Sequence, residues 1–229
     1  MSLLHRLLPH QCHLCAAPAN DYLCQGCAAD LPLLGHHCPR CALPLEHARS
    51  ECGDCLRYPK PFSQTYCAFE YKPPLSTLIY RFKNGQACHL AHYLCQPLID
   101  QLPPPNNENR LFDALVPVPS HWSSRFRRGY NPARVLTDIL SSTLKIPVLD
   151  ILKKPRRHTS QKKLNRKERL KNLDATLTVQ GTAQGLTVAV VDDVMTTGAT
   201  AITASECLLS AGATNVMILT LARTPKKGM

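Results

Sequence analysis

The stretch LTVAVVDDVMTTGAT, residues 186–200, is the most informative part of this 229-residue sequence. Its first six residues form a continuous apolar run rich in β-branched side chains, which is typical of a strand buried on both faces of a parallel sheet. Asp192 and Asp193 follow that strand, a short loop runs to Gly198, and a helix is predicted from about Ala199. Because ligands of open α/β sheets bind at the carboxyl ends of strands, we expect a ligand site here.

The loop between this strand and helix has the groups expected of a sugar-phosphate site. The amides and positive end of a helix N-terminus bind phosphate, and Gly198 allows close approach of the backbone. The hydroxyls of Thr196, Thr197 and Thr200 add donors. Two adjacent carboxylates would repel a phosphate, but a carboxylate accepts strong hydrogen bonds from the two hydroxyls of a diol. The loop therefore predicts a site for a ribose 5-phosphate group.

Strands and helices are predicted to alternate on both sides of this stretch. Further strands are predicted at 67–72, 112–119 and 214–222, and helices at 74–83, 87–102, 131–144 and 199–212. In one of these helices Asn131 is the cap and Pro132 occupies the first turn. This alternation indicates an α/β fold with a mostly parallel sheet flanked by helices.

Eight of the 12 cysteines form four Cys-x-x-Cys pairs near the N-terminus. The pairs are Cys12/Cys15, Cys24/Cys27, Cys38/Cys41 and Cys52/Cys55. Two such pairs supply the tetrahedral four-sulfur shell that Zn²⁺ prefers, so we expect structural zinc, about two ions. Neighbouring pairs could share an ion, or the pairs could interleave in a cross-brace. Redox cysteine chemistry and iron–sulfur ligation are the competing interpretations, although four close pairs would make an unusual oxidoreductase.

The N-terminal region has few apolar residues, and a small domain with so thin a core usually needs a staple such as a metal. LRYPKPF, residues 56–62, has two prolines and no helical or strand pattern, which favours a boundary there. We therefore predict a cysteine-rich zinc-ribbon module at 1–62 and an α/β domain at 63–229.

The composition excludes several classes of protein. No apolar run approaches the roughly 18 residues of a membrane span, and the N-terminal apolar run is too short for a signal peptide, so a cytoplasmic location is expected. The 27 Lys and Arg exceed the 16 Asp and Glu, which gives a formal charge of +11. This excess favours an anionic partner such as nucleic acid or a phosphorylated metabolite.

The positive charge is concentrated in two stretches, residues 116–134 and 156–172. Seven cations are expected to contact pyrophosphate or DNA: Arg125, Arg127, Arg128, Lys162, Lys163, Arg166 and Arg169. Either stretch could also be a solvated basic face. Trp122, Phe126 and Tyr130 alternate with the first set of arginines, as suits stacking on single-stranded bases. Because their spacing of four also puts these rings on one helical face, core packing is an equally natural interpretation.

Residues 188–200, VAVVDDVMTTGAT, resemble the phosphoribosyl-pyrophosphate (PRPP) signature of type I phosphoribosyltransferases. The signature has four apolar residues, two acids, two variable positions and then Thr-Thr-Gly-x-Thr. The resemblance implies that Asp192 and Asp193 hold the ribose hydroxyls. It also implies that the 5-phosphate is wrapped by Thr196, Thr197, Gly198, Ala199 and Thr200, and that Mg²⁺ accompanies PRPP.

Nearly the whole chain resembles the ComF (ComFC/GntX-like) competence family. The resemblance rests on the cysteine pairs, on VPVP (116–119) with RFRRGYN (125–131), on Thr159-x-Gln161-x-x-Leu164, and on the Asp-Asp loop. It implies a double zinc ribbon joined to a phosphoribosyltransferase-type domain. It also implies a role in natural transformation, with single-stranded DNA, PRPP and DNA-uptake or helicase proteins as partners.

Three functions are consistent with these features. The first is a cytoplasmic competence protein that binds single-stranded DNA and PRPP. The second is an active phosphoribosyltransferase that moves ribose 5-phosphate from PRPP to a nucleobase, for which the sequence identifies neither a catalytic residue nor a hood over the base. The third is a regulator in which the PRPP fold has lost catalysis and the ribbons bind a partner.

Overall fold

The computed structural model describes residues 10–47, 50–84, 88–103, 110–120, 128–154 and 177–226. The strands in these ranges are β1 (His10–Gln11), β2 (Pro18–Ala19), β3 (Gln64–Glu70), β4 (Ala114–Pro117), β5 (Leu152–Lys153), β6 (Thr178–Val179), β7 (Thr187–Met195) and β8 (Asn215–Arg223). The helices are α1 (Gln25–Ala29), α2 (Gly53–Arg57), α3 (Leu75–Lys83), α4 (Leu90–Ile99), α5 (Pro132–Leu144) and α6 (Ala199–Ser210).

The central sheet has four parallel strands in the order β3-β8-β7-β4. One face of β7 and β8, including Val191 and Leu219, packs on the apolar sides of α3, α4 and α5. The other face, including Val190 and Ile218, packs on α6 and on the second half of the cysteine-rich region. Burial on both faces explains the uninterrupted apolar run of β7, because a parallel sheet covered by helices has no solvent-facing side. The predicted α/β fold class is confirmed.

The predicted element bounds are close to those of the structure, with one difference that matters for the site. The predicted strand 186–191 extends to Met195 in β7, so Asp192 and Asp193 lie within the strand and not after it. The reason is that β8 is equally long, and its ladder with β7 continues to the pair Met195 and Arg223. The loop before α6 is therefore only residues 196–198. The short antiparallel pair β5 and β6 was not predicted.

The N-terminal region covers the open edge of β3. The Leu34 amide donates to the Ala68 carbonyl at 2.9 Å, and the Glu70 amide donates to the Pro32 carbonyl at 2.9 Å. These bonds satisfy groups that an edge strand would otherwise expose. The module boundary at residue 62 stays a prediction. In the parts of the chain that the structure describes, no helix has the length and apolar character needed to cross a membrane.

Candidate ligand site and metal centres

Two groups of four cysteines lie in the N-terminal region. They are Cys12, Cys15, Cys24 and Cys27 in the first centre, and Cys38, Cys41, Cys52 and Cys55 in the second centre. Neighbouring pairs therefore share a centre, and the cross-brace alternative is wrong. Within each centre the four sulfurs lie within 4.8 Å of one another.

The sulfur separations fit zinc. The Sγ atoms of Cys15 and Cys24 are 3.7 Å apart, and those of Cys41 and Cys52 are 3.6 Å apart. Tetrahedral bonds of about 2.3 Å between zinc and sulfur place two sulfurs about 3.8 Å apart. Such an ion would be held by all four thiolates of each centre and would supply a structural cross-link.

Backbone amides surround the thiolates. The Leu14 amide donates to Cys12 Sγ at 3.4 Å, and the Cys52 amide donates to Cys38 Sγ at 3.3 Å. Burial raises the pKa of Cys12, but hydrogen bonds from the amides of Cys15, Cys24 and Leu14 outweigh it and lower that pKa to about 6. Amides that stabilise a thiolate favour the deprotonated form that binds metal.

The two centres differ in their access to solvent. All four cysteines of the second centre are buried, and that centre packs against the apolar face of the sheet. In the first centre only Cys12 is buried, whereas Cys15 is exposed and Cys24 and Cys27 are half-buried. The second centre is therefore part of the apolar core on the α6 face of the sheet, and the first lies nearer the surface.

A small cavity of about 20 Å³ lies at the carboxyl edge of the sheet. Its polar lining comes from Asp192, Thr196, Gly198 and Thr200, and Val118 from the end of β4 adds apolar lining. These residues meet because parallel strands bring their carboxyl ends to one edge. The structure therefore brings four of the seven residues of the predicted PRPP site into one cavity.

The two adjacent carboxylates have different surroundings. Asp192 lines the cavity, and one of its carboxylate oxygens accepts a hydrogen bond of 2.8 Å from the Asp193 amide. Burial, followed by the charge of Asp193, raises the pKa of Asp192 to about 7. Asp193 forms a salt bridge of 2.7 Å with Lys83. The positive charge of Lys83 lowers the pKa of Asp192, but burial and the charge of Asp193 have the larger effect.

Lys83 is a site residue that the sequence reasoning missed. It is the last residue of α3, and its side chain is 28% exposed. A lysine in the last turn of a helix is explained by the helix dipole alone. The sequence therefore gave no reason to predict a salt bridge between Lys83 and Asp193.

The loop before α6 has the backbone that its glycine predicted. Gly198 has a φ of 82°, in the left-handed region, and its carbonyl accepts the first intrahelical bond, from Ile202. The Ala199 amide donates to Thr197 Oγ1 at 3.3 Å. Thr196, Thr197, Ala199 and Thr200 are exposed, so the hydroxyls and the helix N-terminus are accessible to a ligand.

Three buried polar atoms near this edge have no hydrogen-bond partner among the described residues. They are Ser120 Oγ, Arg128 Nε and Thr224 Oγ1. Ser120 follows the end of β4, Thr224 follows the end of β8, and Arg128 precedes α5. Buried polar groups are normally paired, and these three atoms have hydrogen-bonding capacity that the described residues leave unused.

The remaining predicted cations fall largely outside the described residues. Arg125, Arg127, Lys162, Lys163, Arg166 and Arg169 are in that group, as are Trp122 and Phe126. Arg128 is described and half-buried. Tyr130 packs against Phe82, with ring centroids 6.1 Å apart, as the core interpretation of that ring expects. The positive charge of Lys154 lowers the pKa of Asp192, although burial and the charge of Asp193 have the larger effect.

Comparisons with known proteins agree with this architecture. The double zinc ribbon domain matches residues 3–56, and the phosphoribosyl transferase domain matches residues 127–229. DNA utilization protein YhgH of Salmonella typhimurium is 31% identical over 95% of this chain and 98% of its own. Competence protein F of Haemophilus influenzae is 31% identical over 90% of this chain and 92% of its own.

One solved structure, the purine phosphoribosyltransferase from Pyrococcus horikoshii, aligns with 60% of this chain and 73% of its own, with 20% identity and a TM-score of 0.33. That likeness is too low to add to the assignment. The full-length matches and the two domain matches decide it. The chain belongs to the family of DNA utilization protein YhgH and competence protein F, and it combines a double zinc ribbon with a phosphoribosyltransferase domain.

Proposed function

We propose that this protein is a competence-associated, cytoplasmic DNA-handling protein that binds PRPP, with Mg²⁺, at the carboxyl edge of its sheet and binds single-stranded DNA. The observation that carries the PRPP part is the cavity that combines Asp192 with the loop before α6. Asp192 would accept hydrogen bonds from the ribose hydroxyls, and the amides and hydroxyls of residues 196–200 would hold the 5-phosphate.

The unpartnered polar atoms support a diphosphate beside this loop. The Arg128 guanidinium and the Ser120 hydroxyl are donors at the same edge, and a diphosphate would supply the missing acceptors. Mg²⁺ commonly binds through one or two carboxylates together with substrate phosphates, and Asp192 is a carboxylate of the cavity lining. The ion would neutralise part of the diphosphate charge.

Charge supports the DNA part of the proposal. The chain has a formal charge of +11, and two four-thiolate zinc centres, at about −2 each, would leave it clearly basic. Eight Lys and Arg lie between residues 155 and 176, opposed only by Glu168 and Asp174. This segment begins directly after Lys154, whose positive charge opposes the larger effects of burial and Asp193 on the pKa of Asp192. The names of two relatives, DNA utilization protein YhgH and competence protein F, agree with a DNA-handling role.

Fluorescence anisotropy of a labelled single-stranded oligonucleotide tests both parts. Titrations at several salt concentrations, with and without Mg²⁺-PRPP, should show log K falling by about 0.7 per neutralised phosphate for each unit of log salt. Displacement of the oligonucleotide by PRPP would place both ligands in one cleft. Absence of DNA binding while PRPP still binds in calorimetry would reject the DNA role.

The alternative function is phosphoribosyl transfer to a nucleobase. The observation that favours it is the intact Asp-Asp-x-x-Thr-Thr-Gly-x-Thr sequence with its cavity. Pyrophosphate release from Mg²⁺-PRPP in the presence of single nucleobases measures this activity. Release that depends on one base and disappears in Asp192→Asn would establish the enzyme. A flat response with every base would leave ligand binding as the role of the site.

A further inference from the structure

The side chain of Arg223 connects the loop before α6, residues 196–198, to the second metal centre. This loop is called the phosphate loop below. Arg223 is the last residue of β8 and is 7% exposed. Its Nε donates to the carbonyl of Cys41, a ligand residue of the second centre, at 2.9 Å. Its Nη1 donates to the carbonyl of Met195 at 3.1 Å and also contacts the carbonyl of Thr196. One guanidinium therefore joins the turn that holds Cys41 to the start of the phosphate loop.

The charge of this guanidinium has no carboxylate partner among the described salt bridges. Its partners are carbonyl groups, including that of Thr224 at 2.9 Å. A buried cation is costly unless an opposite charge lies nearby. A zinc ion with four thiolates carries a net charge of about −2, so the second centre would supply the compensating charge.

We propose that Arg223 is a positioning residue that couples the phosphate loop to the second centre. The order of the loop depends on metal binding at that centre, and metal retention depends on the order of the loop. Its planar fork fixes the Met195 and Thr196 carbonyls relative to Cys41, and this orients the amides that follow them in the loop. The functional consequence rests on the proposed binding of PRPP at that loop. Because coupling between two sites is reciprocal, a ligand on the loop should slow metal loss from the second centre.

The test uses the full-length, zinc-loaded chain and three variants. Arg223→Met removes both the charge and the fork, whereas Arg223→Lys keeps the charge and loses the fork. Arg134→Met is the matched control, because Arg134 is 44% exposed and its salt bridges within the described residues are to the exposed side chains of Asp138 and Asp150. Amide hydrogen exchange of residues 194–200 reports loop order. Amide hydrogen exchange of residues 12–27 during treatment with a chelator reports metal loss from the first centre, and exchange of residues 38–55 reports metal loss from the second.

We expect Arg223→Met to raise loop exchange at least tenfold and to release metal from residues 38–55 at least fivefold faster, with residues 12–27 unchanged. Arg223→Lys should restore metal retention but not loop order, a separation that general loss of stability does not produce. Mg²⁺-PRPP affinity in calorimetry should fall at least tenfold in both variants. Loop exchange within twofold of the unmodified chain, or equal acceleration at both centres, would overturn the proposal.

A different result would reject the proposed function alone. If the unmodified chain binds no PRPP, the ligand assignment fails, but the exchange measurements still decide whether Arg223 couples the loop to the second centre. If Arg223→Met does not fold, Arg223→Lys decides the same point through loop exchange, because it retains the buried charge.

Discussion

At the residue scale, Asp192 and Asp193 divide the work of the acidic pair. Adjacent residues of a strand project to opposite sides, so only one of two neighbouring carboxylates readily faces a given cavity. Asp192 lines the cavity, and Asp193 binds Lys83 on α3. Burial, followed by the charge of Asp193, raises the pKa of Asp192 to about 7. The charge state of the cavity therefore changes near neutral pH.

Replacing Asp192 with Asn should stabilise the protein in a pH-dependent way. The raised pKa means that the unfolded chain loses this proton at lower pH than the folded chain, so the Asp192 carboxyl destabilises the fold increasingly as pH rises from about 4 to about 7. Asn cannot ionise, so urea denaturation should show a gain of about 1–3 kcal/mol at pH 8 and a smaller gain at pH 5.

The same variant should lose PRPP affinity at pH 8, because an amide oxygen accepts weaker hydrogen bonds than a carboxylate. Asp150→Asn is the control, since it removes a carboxylate that is 51% exposed and is not among the residues that line the cavity. An equal stability gain at both pH values would contradict the assigned burial of Asp192.

At the element scale, the site depends on how β7, the three-residue loop and α6 join. The ladder between β7 and β8 continues through Met195, and the chain then turns into a helix within three residues. A turn this short needs the left-handed backbone of Gly198. The amides of the α6 N-terminus are thereby placed beside the cavity that Asp192 lines.

Substituting Gly198 with Ala should therefore damage the site through backbone strain. An added Cβ would meet only Met195 Sδ, at 3.9 Å, so crowding is not the cause. A left-handed φ costs a residue with a Cβ about 1–2 kcal/mol, which thermal or urea unfolding should show together with weaker PRPP binding. Gly26→Ala is the control, because Gly26 has open space and no positive φ. Equal losses in the two variants would exclude a special role for the loop.

The two metal centres should release their ions at different rates. Purified, reduced protein should contain about two zinc ions per chain, and a colorimetric chelator should remove them in two phases. The faster phase should come from the first centre, where Cys15 is exposed and only Cys12 is buried. Cys88→Ser, which changes an exposed cysteine outside both centres, should alter neither phase. A metal content near zero would disprove the zinc interpretation, and a single phase would contradict the difference in burial.

At the scale of the whole molecule, the zinc ribbons contribute to the apolar cores on both faces of the sheet, and their backbone forms hydrogen bonds with the edge strand β3. The second centre packs on the sheet face that also packs on α6, and the first packs on the face that carries α3 and α4. Removal of metal should therefore destabilise the sheet as well as the ribbons. The excess positive charge adds a long-range attraction for polyanions that no single side chain supplies.

Neutralising cations of the two basic stretches should weaken binding of single-stranded DNA. Changing Arg127, Arg128, Lys162 and Lys163 to Gln should flatten the dependence of log K on log salt by up to about 0.7 for each phosphate that the protein no longer neutralises. Four cations within residues 1–62 form the matched set: Arg6, Arg49, Arg57 and Lys60. If only the matched set flattens the slope, the DNA-binding surface lies on the ribbons.

The amino-acid sequence was sufficient to predict the α/β class, the position of the loop between β7 and α6, and the eight cysteines of the metal centres. These features rest on local information, because apolar periodicity, Cys-x-x-Cys spacing and a strand-loop-helix junction are each contained in a few consecutive residues. The helices Leu75–Lys83 and Pro132–Leu144 were placed nearly residue by residue for the same reason.

Three further features depend on how the chain packs: which cysteine pairs share a centre, how far β7 extends and which cations reach the loop. Lys83 meets Asp193, and Arg223 meets Cys41, across large separations in sequence. Such contacts depend on the order of strands in the sheet and on the packing of the ribbons against it. Short-range sequence patterns contain no information about that packing, because a lysine or arginine at positions 83 and 223 is equally compatible with a solvent-exposed surface.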